Sequence, residues 1–522
     1  MKKKLYIVLT ACSMVLVTSC QKWLTEPSPG VTKLDDFFSS GKTAIQAINA
    51  SYVPLAWEYN KTYFNEWFIG DVVSDDALKG GQGISDMSDV YDLENFKTQP
   101  NNGLLLDYYR AQYQGVARAN LAIAKIPAVK TDETMNQRLK DRLLGEAHFL
   151  RAYYYYRLVR VFGDIPKVDF IIESANQWKQ QKTKAADIYA FIIDDLKQAE
   201  EKLWNKSEYP GTDLGRATKG AAQAMLMKAY LSIHNYVEAE KWGEKLMHQA
   251  QDGQYQLVPQ YRDNFKLSGK NNAESIFEVQ YMEDSYSDYG QGFGFTRGTF
   301  TVIMTRSRSS KLGGGWGFNK PTQNLFNAFE LGDPRRDATI LNPTNAEMES
   351  TEQEIYLGSR YLNRKYALLE DGPNQTIYPL THETRGPMNY KIIRFADALL
   401  LYAEAACENN NLTRAKWALE EVRKRARNGN NSILPSFPNY NGYSDTKEDL
   451  RRAIRHERRV ELAMEGHRWF DICRWGVAKE IMDAYKASES PEARQHMAEF
   501  IKGKHELFPI PEEEVNLSSL GN

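Results

Sequence analysis

The sequence predicts an all-α protein in which a tetratricopeptide-like helical-pair scaffold carries a loop-rich region. Apolar residues recur three or four positions apart through much of 43–250 and again through 389–485, which is the period of helices that bury one face. Two stretches, Lys228–Ala239 and Tyr402–Ala415, repeat a helix, a short turn and a second helix with small residues at the crossing. Residues 251–388 instead hold clusters of Tyr, Gly, Asn and Ser, a composition typical of long loops.

Eight segments carry the helical pattern most clearly, and one of them ends at a glycine and proline signal, Gly163 to Pro166. A short apolar run at Ser275–Val279 is β-like. The predicted helices are Leu104–Ile126, Glu133–Phe162, Ala186–Leu203, Thr218–His234, Tyr236–Gln249, Asn389–Glu408, Thr413–Arg427 and Thr446–Tyr485.

The N-terminus predicts export and lipid anchoring. Met1–Lys4 is basic, Leu5–Val17 is mostly apolar, and Val17-Thr18-Ser19-Cys20 follows, which is the order of a secretory signal. The apolar run is shorter than the roughly 20 residues that a membrane-spanning helix needs. Apolar, small, small, Cys resembles the bacterial lipobox, in which the cysteine is acylated and becomes the mature N-terminus. The alternative is an ordinary signal peptide with a chance cysteine.

Composition excludes several classes of protein. The 66 basic and 68 acidic residues nearly cancel, so no net field attracts nucleic acid. Of four cysteines, only Cys407 and Cys473 lie beyond the signal and the lipidation site, which excludes a disulfide scaffold. We interpret these two as buried thiols, with a single bridge between them as the alternative.

These signals divide the chain into five parts. We assign 1–19 to a lipoprotein signal peptide and 20–42 to a lipid-anchored leader that contains two prolines. A helical scaffold over 43–250 has a loop insert near 59–100. Residues 251–388 form a loop-rich ligand-binding region, and 389–522 complete the scaffold.

The residues give no positive sign of an enzyme, a cofactor or a metal site. Glu457, Glu461 and Glu465 share one helix face, but the Glu-x-x-His companion of a di-iron bundle is missing. Five arginines lie alongside, so we interpret this face as a structural ion-pair lattice. They are Arg451, Arg452, Arg455, Arg458 and Arg459. No catalytic residue is predicted.

Aromatic residues in the loops favour binding instead. A flat ring can stack on the apolar face of a ligand while polar neighbours satisfy its hydrogen-bonding groups. Only two tracts, 59–100 and 281–318, combine loop character with dense aromatics, so we place the site where they meet. The stacking candidates are Tyr91, Tyr286, Tyr289 and Trp316, and the expected polar partners are Asp75 and Arg306.

Several blocks resemble the SusD/RagB family of nutrient-binding outer-membrane lipoproteins, and the resemblance covers nearly the whole chain. The C-terminal signature is ERRVELAMEGHRWFDICRWG, at Glu457–Gly476. Further blocks similar to the family are Glu146–Pro166, Gly332–Arg336, Ile393–Asp397 and Leu507–Pro511. Its signature residues are expected to be structural rather than ligand-contacting.

The resemblance implies a lipoprotein anchored in the outer membrane and facing outward. It would capture a glycan, or in some relatives a peptide, and partner a TonB-dependent transporter. The residues after Cys20 lack the acidic cluster associated with surface export. A rival hypothesis is a lipid-anchored glycan hydrolase, which needs two carboxylates about 5 to 10 Å apart. Its candidate acids are Asp75, Asp76, Asp284 and Asp288. A third hypothesis is that the protein is a purely structural partner of the transporter and has no ligand site.

Overall fold

A computed structural model describes residues 37–58, 66–285, 297–349, 355–369 and 377–518, and helices dominate these ranges. We number the elements of the described ranges in chain order. The helices are α1 (Gly41–Tyr52), α2 (Ser88–Glu94), α3 (Gly103–Lys125), α4 (Gln137–Phe162), α5 (Ala185–Lys202), α6 (Lys219–Ser232), α7 (Tyr236–Gln251), α8 (Thr301–Thr305), α9 (Gln323–Ala328), α10 (Pro334–Thr339), α11 (Phe395–Glu408), α12 (Leu412–Arg427), α13 (Lys447–Leu462), α14 (Arg468–Arg474), α15 (Ala478–Ser488), α16 (Pro491–Arg494) and α17 (Glu512–Ser518).

The strands of the described ranges pair antiparallel, two by two. They are β1 (Ala77–Gly80) with β5 (Phe318–Pro321), β2 (Ile165–Pro166) with β3 (Lys182–Thr183), β4 (Ser275–Val279) with β8 (Tyr390–Arg394), and β6 (Ile340–Leu341) with β7 (Leu362–Asn363). The β-like run at Ser275–Val279 is therefore confirmed. One turn of π-helix, Phe68–Val72, precedes β1.

The long helices form one continuous stack, which confirms the predicted all-α, tetratricopeptide-like class. From α3 to α7 the helices pack in sequence: α3 on α4, α4 on α5, α5 on α6 and α6 on α7. After a long excursion over 252–394, the chain returns and packs α11 directly on α7, with α12 and α13 against α11. The loop-rich region is therefore an insertion into a scaffold that continues on both sides of it.

The two helical hairpins inferred from sequence are present as α6–α7 and α11–α12. They meet closely because Gly243 of α7 faces Tyr402 of α11, where a Cβ on the glycine would lie 2.6 Å from the Tyr402 ring. Asn235 caps α7 by accepting a hydrogen bond from the backbone N–H of Glu238. Small residues thus allow close packing of the helices, as the pattern predicts.

Two predicted helices have different boundaries in the structure. Asn389–Glu408 begins as strand β8 and becomes helical only at Phe395. Thr446–Tyr485 is three helices, because the chain turns sharply after α13 with Met464 at φ 63° and Gly466 at φ 80°. This turn touches Gly70, where a Cβ would stand 2.0 Å from the Gly466 carbonyl oxygen. The interruption brings the C-terminal signature against the π-helical turn.

Much of the unusual tyrosine content is core. All four tyrosines of the Tyr153–Tyr156 run on α4 are buried. Their hydroxyl groups reach backbone carbonyls at the core edge: Tyr154 donates to Ser51 at 2.7 Å and Tyr155 to Val168 at 2.9 Å. Tyrosine therefore serves here to fill volume and to tie neighbouring segments to the scaffold.

The predicted ion-pair lattice is present and buried, but two details differ from the prediction. Because α13 ends at Leu462, Glu465 lies in the turn after the helix rather than on its face, and the cations come from elsewhere. Glu457, Glu461 and Glu465 are each at most 1% exposed. Their partners belong to four other segments of the chain: Arg335 of α10, Lys365 after β7, Arg394 at the end of β8, and Arg423 and Arg425 of α12.

The arginines of α13 itself point to other carboxylates. Arg458 pairs with Asp397 and Asp471, both at 3.0 Å, and Arg459 pairs with Asp75 at 2.8 Å and Asp76 at 2.7 Å. The helix therefore carries charge on two faces. Each face pairs with a different group of segments.

The electrostatics of Glu461 show that the lattice is balanced. Burial alone would raise the pKa of its carboxyl, but Arg425, Arg394 and Arg335 outweigh that effect and hold the pKa far below its usual range. The surrounding guanidinium groups therefore keep the buried Glu461 carboxyl in its ionised form.

The cysteines Cys407 and Cys473 are both free, so the bridge considered as an alternative does not form. Burial raises the pKa of the Cys407 thiol to about 11. Within the described ranges, no helix combines the length and the apolar character that crossing a membrane requires.

Glu461→Gln should destabilise the protein by about 3 to 5 kcal/mol, because it removes one buried negative charge shared by Arg335, Arg394 and Arg425 and leaves the lattice with excess positive charge. Chemical denaturation followed by circular dichroism measures this. Glu448→Gln in the first turn of the same helix is the control: its side chain is 68% exposed and pairs with Arg451, so its loss should cost less than about 1 kcal/mol. Equal effects of the two variants would contradict a structural role for the lattice.

Candidate ligand-binding site

The two aromatic tracts identified in the sequence lie side by side. Strand β1 from the first tract pairs with β5, which begins at the end of the second, with Ala77 opposite Pro321 and Gly80 opposite Phe318. The ladder continues one step further, because the Gly81 N–H donates to the Gly317 carbonyl at 3.0 Å. This short ribbon fixes the position of one tract relative to the other.

A buried carboxylate, Glu58, makes a second connection between the tracts. Its oxygens accept hydrogen bonds from the Tyr281 hydroxyl at 2.5 Å, the Thr299 hydroxyl at 2.8 Å and the Phe300 N–H at 2.7 Å. Glu58 precedes residues 59–65, while Tyr281 and Thr299 flank residues 286–296. Two of the predicted stacking residues, Tyr286 and Tyr289, lie outside the described residues, as does Cys20.

A groove of about 580 Å³ borders this anchor. Its walls are the end of α1, the 212–216 loop and the chain from 278 to 282, and Tyr281 lines it while also donating to Glu58. Leu214 and Met282 on its rim are 54% and 50% exposed. Mostly apolar walls with a few polar groups are typical of small-ligand sites.

Trp316 lies at the junction, half-buried, rather than standing fully free between its glycines. Its backbone N–H donates to the Ile303 carbonyl at 2.9 Å, and its ring packs on Phe300 with centroids 5.9 Å apart. The preceding glycines are needed for this path: a Cβ on Gly315 would meet the Arg306 Cβ at 2.4 Å. Phe300 thus supports the indole of Trp316, and a supported ring is suited to stacking on a ligand.

Arg306 is not a ligand partner, contrary to the sequence prediction. Its side chain is 2% exposed and donates to the carbonyls of Ala367 at 2.8 Å and Tyr378 at 2.7 Å. Burial lowers the pKa of the guanidinium to about 10. It supports the glycine loop from beneath.

Asp75 is likewise contradicted as a polar partner, because it is 3% exposed and held by two arginines, Arg459 and Arg468, each at 2.8 Å. Burial would raise its pKa, but these two cations lower it to about 2. Asp76 pairs with Arg459, and Asp284 pairs with Arg297 at 2.8 Å. These three candidate acids of the hydrolase hypothesis are therefore engaged, and Asp288 lies outside the described residues.

Tyr91 is half-buried on α2 and contacts the C-terminal segment. Its hydroxyl lies 2.9 Å from His496 Nδ1, and the Lys97 ammonium sits 5.3 Å from its ring centroid. These contacts leave part of the ring exposed beside basic and imidazole groups. Tyr91 therefore stays a candidate contact at the edge of the first tract.

Sequence reasoning missed Lys79, which shapes the loop next to Trp316. Its buried ammonium donates to three carbonyl oxygens, those of Gly80 at 2.8 Å, Gly83 at 3.0 Å and Asp86 at 2.6 Å. Burial lowers its pKa to about 8. A lysine on a strand usually marks a solvated face, so no sequence signal pointed to this role.

Arg308 was also missed. Its Cγ lies 3.1 Å from the position a Cβ on Gly317 would occupy, so the glycine leaves room for the arginine stem beside Trp316. The guanidinium Nη1 is 3.5 Å from the Trp316 carbonyl. The only available signal was its position, two residues from Arg306 in a glycine- and serine-rich stretch.

Asp71 connects the site to the scaffold from below. Its carboxyl is fully buried and accepts hydrogen bonds from the Gly466 N–H at 2.8 Å and the Asn319 side-chain amide at 3.3 Å. Asp71 belongs to the π-helical turn, Asn319 to β5 and Gly466 to the C-terminal signature. The carboxyl of Asp71 therefore joins three segments, and burial raises its pKa to about 8.

Within the described ranges, no group of three or more His, Cys, Asp or Glu side chains is placed to hold a metal ion. The chemistry that these residues do offer is an aromatic ring, a guanidinium and backbone groups around a ribbon edge. Such groups bind and orient a ligand.

Comparison with known proteins gives two family matches. Residues 273–520 match a family described as the SusD family, and residues 23–231 match one described as starch-binding and associating with the outer membrane. SusD-like protein P2 of Formosa agariphila is 27% identical over 97% of this chain and 96% of its own length. A SusD-like protein of Bacteroides ovatus is 25% identical over 91% and 83% of the two chains.

Solved structures share the fold over nearly the full length. A laminarin-binding SusD-like protein superposes with a TM-score of 0.75 and 27% identity, covering 92% of this chain and 98% of that one. Surface glycan-binding protein A of Bacteroides thetaiotaomicron, in complex with laminarihexaose, gives a TM-score of 0.75 at 22% identity, with the same coverage. The second likeness is evidence of fold alone.

Asp71→Asn should change how stability depends on pH. The unfolded carboxyl titrates at about 3.9 and the folded one at about 8, so between these values the folded protein binds the extra proton. Its free energy of unfolding therefore falls as pH rises, by at most about 1.4 kcal/mol per pH unit from this group. The substituted amide cannot titrate and should remove that contribution. Denaturation of both proteins from about pH 5 to about pH 9 covers the upper part of the window between these two pKa values; parallel curves would contradict the prediction.

Proposed function

Because the chain belongs to the SusD/RagB family, we propose that it is a non-enzymatic lipoprotein that binds a glycan at the cell surface and delivers it to a TonB-dependent outer-membrane transporter. The family description that associates relatives with the outer membrane supports the location. The named binding of laminarin by a similar protein supports the glycan.

The observation that carries this proposal is the junction of the two aromatic tracts. The β1–β5 ribbon and the Glu58 anchor hold the tracts together, and Trp316 is fixed at the junction by Phe300 behind it. A preorganised aromatic ring loses little entropy when a sugar stacks on it. The arrangement therefore supports recognition of the apolar face of a pyranose.

We assign Trp316 to the centre of the site. We include Tyr286 and Tyr289 in the proposed site because they lie in the sequence between Tyr281 and Thr299. Both of these residues donate hydrogen bonds to Glu58. Tyr91 is proposed as a more distant contact. The engaged carboxylates Asp75 and Asp76 favour binding over hydrolysis, since each is held by arginine.

The anchor and the partner complete the proposal. Acylation of Cys20 would tether the mature chain, and the residues from 21 to 36 would link the lipid to α1. The transporter would be covered by this protein as by a lid, with the ligand held between them. The near-neutral total charge of −2 gives no sign of a nucleic-acid partner.

Binding of glycans should depend on Trp316. We expect Trp316→Ala to weaken binding of an oligosaccharide ligand about tenfold, since a stacking aromatic contributes on the order of 1 kcal/mol or more and about 1.4 kcal/mol is one decade in affinity. Adding Tyr289→Ala should weaken it further. Isothermal titration against oligosaccharides, including laminarin fragments, and against peptides measures this.

The matched control is Trp178→Ala. Trp178 is 61% exposed and lies in the loop between β2 and β3, remote in sequence from both tracts. It should leave affinity unchanged. If the wild type, Trp316→Ala and Trp178→Ala all bind with equal affinity, the site does not include Trp316. If the protein binds peptides and no glycan, a peptide replaces the glycan as the proposed ligand.

Cys20→Ala should release the protein from the membrane fraction, because two or more acyl chains are what make such an anchor stable. Fractionation of cells that lack the transporter separates the lipid anchor from attachment through the partner. Cys473→Ala, a substitution of a partly buried internal thiol, is the control and should leave the protein membrane-bound. Retention of Cys20→Ala on the membrane would refute lipid anchoring.

A further inference from the structure

Among the charged residues around Trp316, Arg308 stands out because its guanidinium has no anionic partner within the described part of the chain. The side chain is half-buried, and no described carboxylate lies in ion-pair distance of it. Its Nε is buried without a hydrogen-bond partner among the described residues. The polar contact that the guanidinium does make there is the long 3.5 Å approach of Nη1 to the Trp316 carbonyl.

The neighbouring acids are occupied elsewhere. Glu349, on the segment facing the 308–311 turn, accepts hydrogen bonds from the N–H and hydroxyl of Ser310. Glu347 accepts from the N–H and hydroxyl of Thr344. Across the ribbon, Asp86 accepts from the Gln82 N–H at 2.8 Å. None of these three carboxylates neutralises Arg308.

The nearby cations differ from Arg308 in this respect. Arg306 donates to the carbonyls of Ala367 and Tyr378, and Lys79 fills its donors with three carbonyls of its own loop. Both are held inside the protein. Of these three cations, Arg308 is the half-buried one, and within the described residues its guanidinium makes no contact shorter than the 3.5 Å approach to the Trp316 backbone carbonyl.

A partly desolvated guanidinium with unused donors is unfavourable in the free protein and favourable once an anion arrives. Arginine binds carboxylate and sulfate-like oxyanions through two parallel N–H···O hydrogen bonds, and such charge-assisted bonds are about twice as strong as neutral ones. The glycine at 317 leaves room for the arginine stem, so the head is set beside Trp316 rather than free in solvent.

We propose that the glycan bound at this site is acidic, with a carboxylate or sulfate ester that Arg308 binds while its sugar ring stacks on Trp316. This inference rests on the proposed glycan-binding function and names the substrate class. The carboxylate of a uronic acid is attached to a ring carbon, and a sulfate ester is one oxygen away from the ring. Either anion would lie close to the stacked sugar ring, where a guanidinium next to the Trp316 backbone could bind it.

The test uses the full mature chain and chemically matched ligands. One pair is a uronic-acid oligosaccharide and its carboxyl-reduced, neutral form; the other is a sulfated oligosaccharide and its desulfated form. We expect the wild type to bind at least one acidic member about tenfold or more tightly than its neutral counterpart, since charge-assisted hydrogen bonds to a guanidinium are the strong ones. The preference should shrink as salt is raised, because screening weakens a partly exposed charge pair.

Arg308→Gln keeps a polar side chain without the charge and should lower the affinity for the acidic member to about that of its neutral counterpart, which abolishes the acidic preference. Arg308→Lys should restore part of it, because a point charge replaces the planar fork. Arg452→Gln is the matched control: Arg452 is exposed at the start of α13 and pairs with Asp449, so it should behave as wild type.

The outcomes separate the two proposals. If the wild type binds neutral and acidic members equally and Trp316→Ala weakens both, glycan binding stands and the acidic ligand is excluded. If an acidic preference exists but survives Arg308→Gln, the assignment of Arg308 is wrong. If no member of either pair binds, the proposed function itself fails. Thermal unfolding of each variant confirms that loss of affinity is not loss of fold.

Discussion

The buried charge lattice on α13 is the constraint on which the rest of the structure depends. Glu457 and Glu461 lie one helical turn apart on α13, and Glu465 follows in the turn after the helix. The three buried carboxylates are held together by shared cations, because Arg335 pairs with Glu457 and Glu461, and Arg394 pairs with Glu461 and Glu465. Each is costly to bury alone and is compensated only if several cations arrive together. Those cations come from α10, β8, α12 and the chain after β7. The lattice therefore joins the inserted region of 252–394 to the C-terminal scaffold through electrostatics rather than through apolar packing alone.

The same segment also positions the candidate site. Beyond the lattice face, Arg459 and Arg468 hold Asp75, and the Gly466 N–H holds Asp71, so the chain just before β1 is fixed from the C-terminal side. Strand β1 then fixes β5 and the turn that presents Trp316. A ligand platform made of loops thus gains the rigidity of the scaffold through a short chain of buried polar contacts. This explains why so many acids near the platform are unavailable to a ligand.

The sequence predicted the helical class, the two hairpins, strand β4 and the structural nature of the acidic face, because helical periodicity and charge spacing are local properties. It could not predict which arginines pair with Glu461, since Arg394 and Arg425 come from distant positions whose approach only the fold decides. The same limit explains the errors over Asp75 and Arg306. The sequence does not distinguish a polar loop residue that faces a ligand from one that faces a buried partner. The break after α13 was missed because an apolar helical pattern continues through a turn that only Met464 and Gly466 reveal.

The most informative property of the site is therefore the difference between charged groups that have a partner inside the protein and a cation, Arg308, that has no anionic partner among the described residues. The buried carboxylates around the platform have partners inside the protein, and those partners account for its rigidity. A half-buried cation whose N–H groups lack partners lowers the stability of the folded protein. A residue with a purely structural role is not expected to carry that penalty. Arg308 approaches the backbone carbonyl of Trp316, and its stem occupies space that Gly317 leaves open. Within the residues that the structure describes, Trp316 and Arg308 are complementary in the proposed site: the indole would fix where a sugar ring stacks, and the unpaired guanidinium would favour a sugar that carries negative charge.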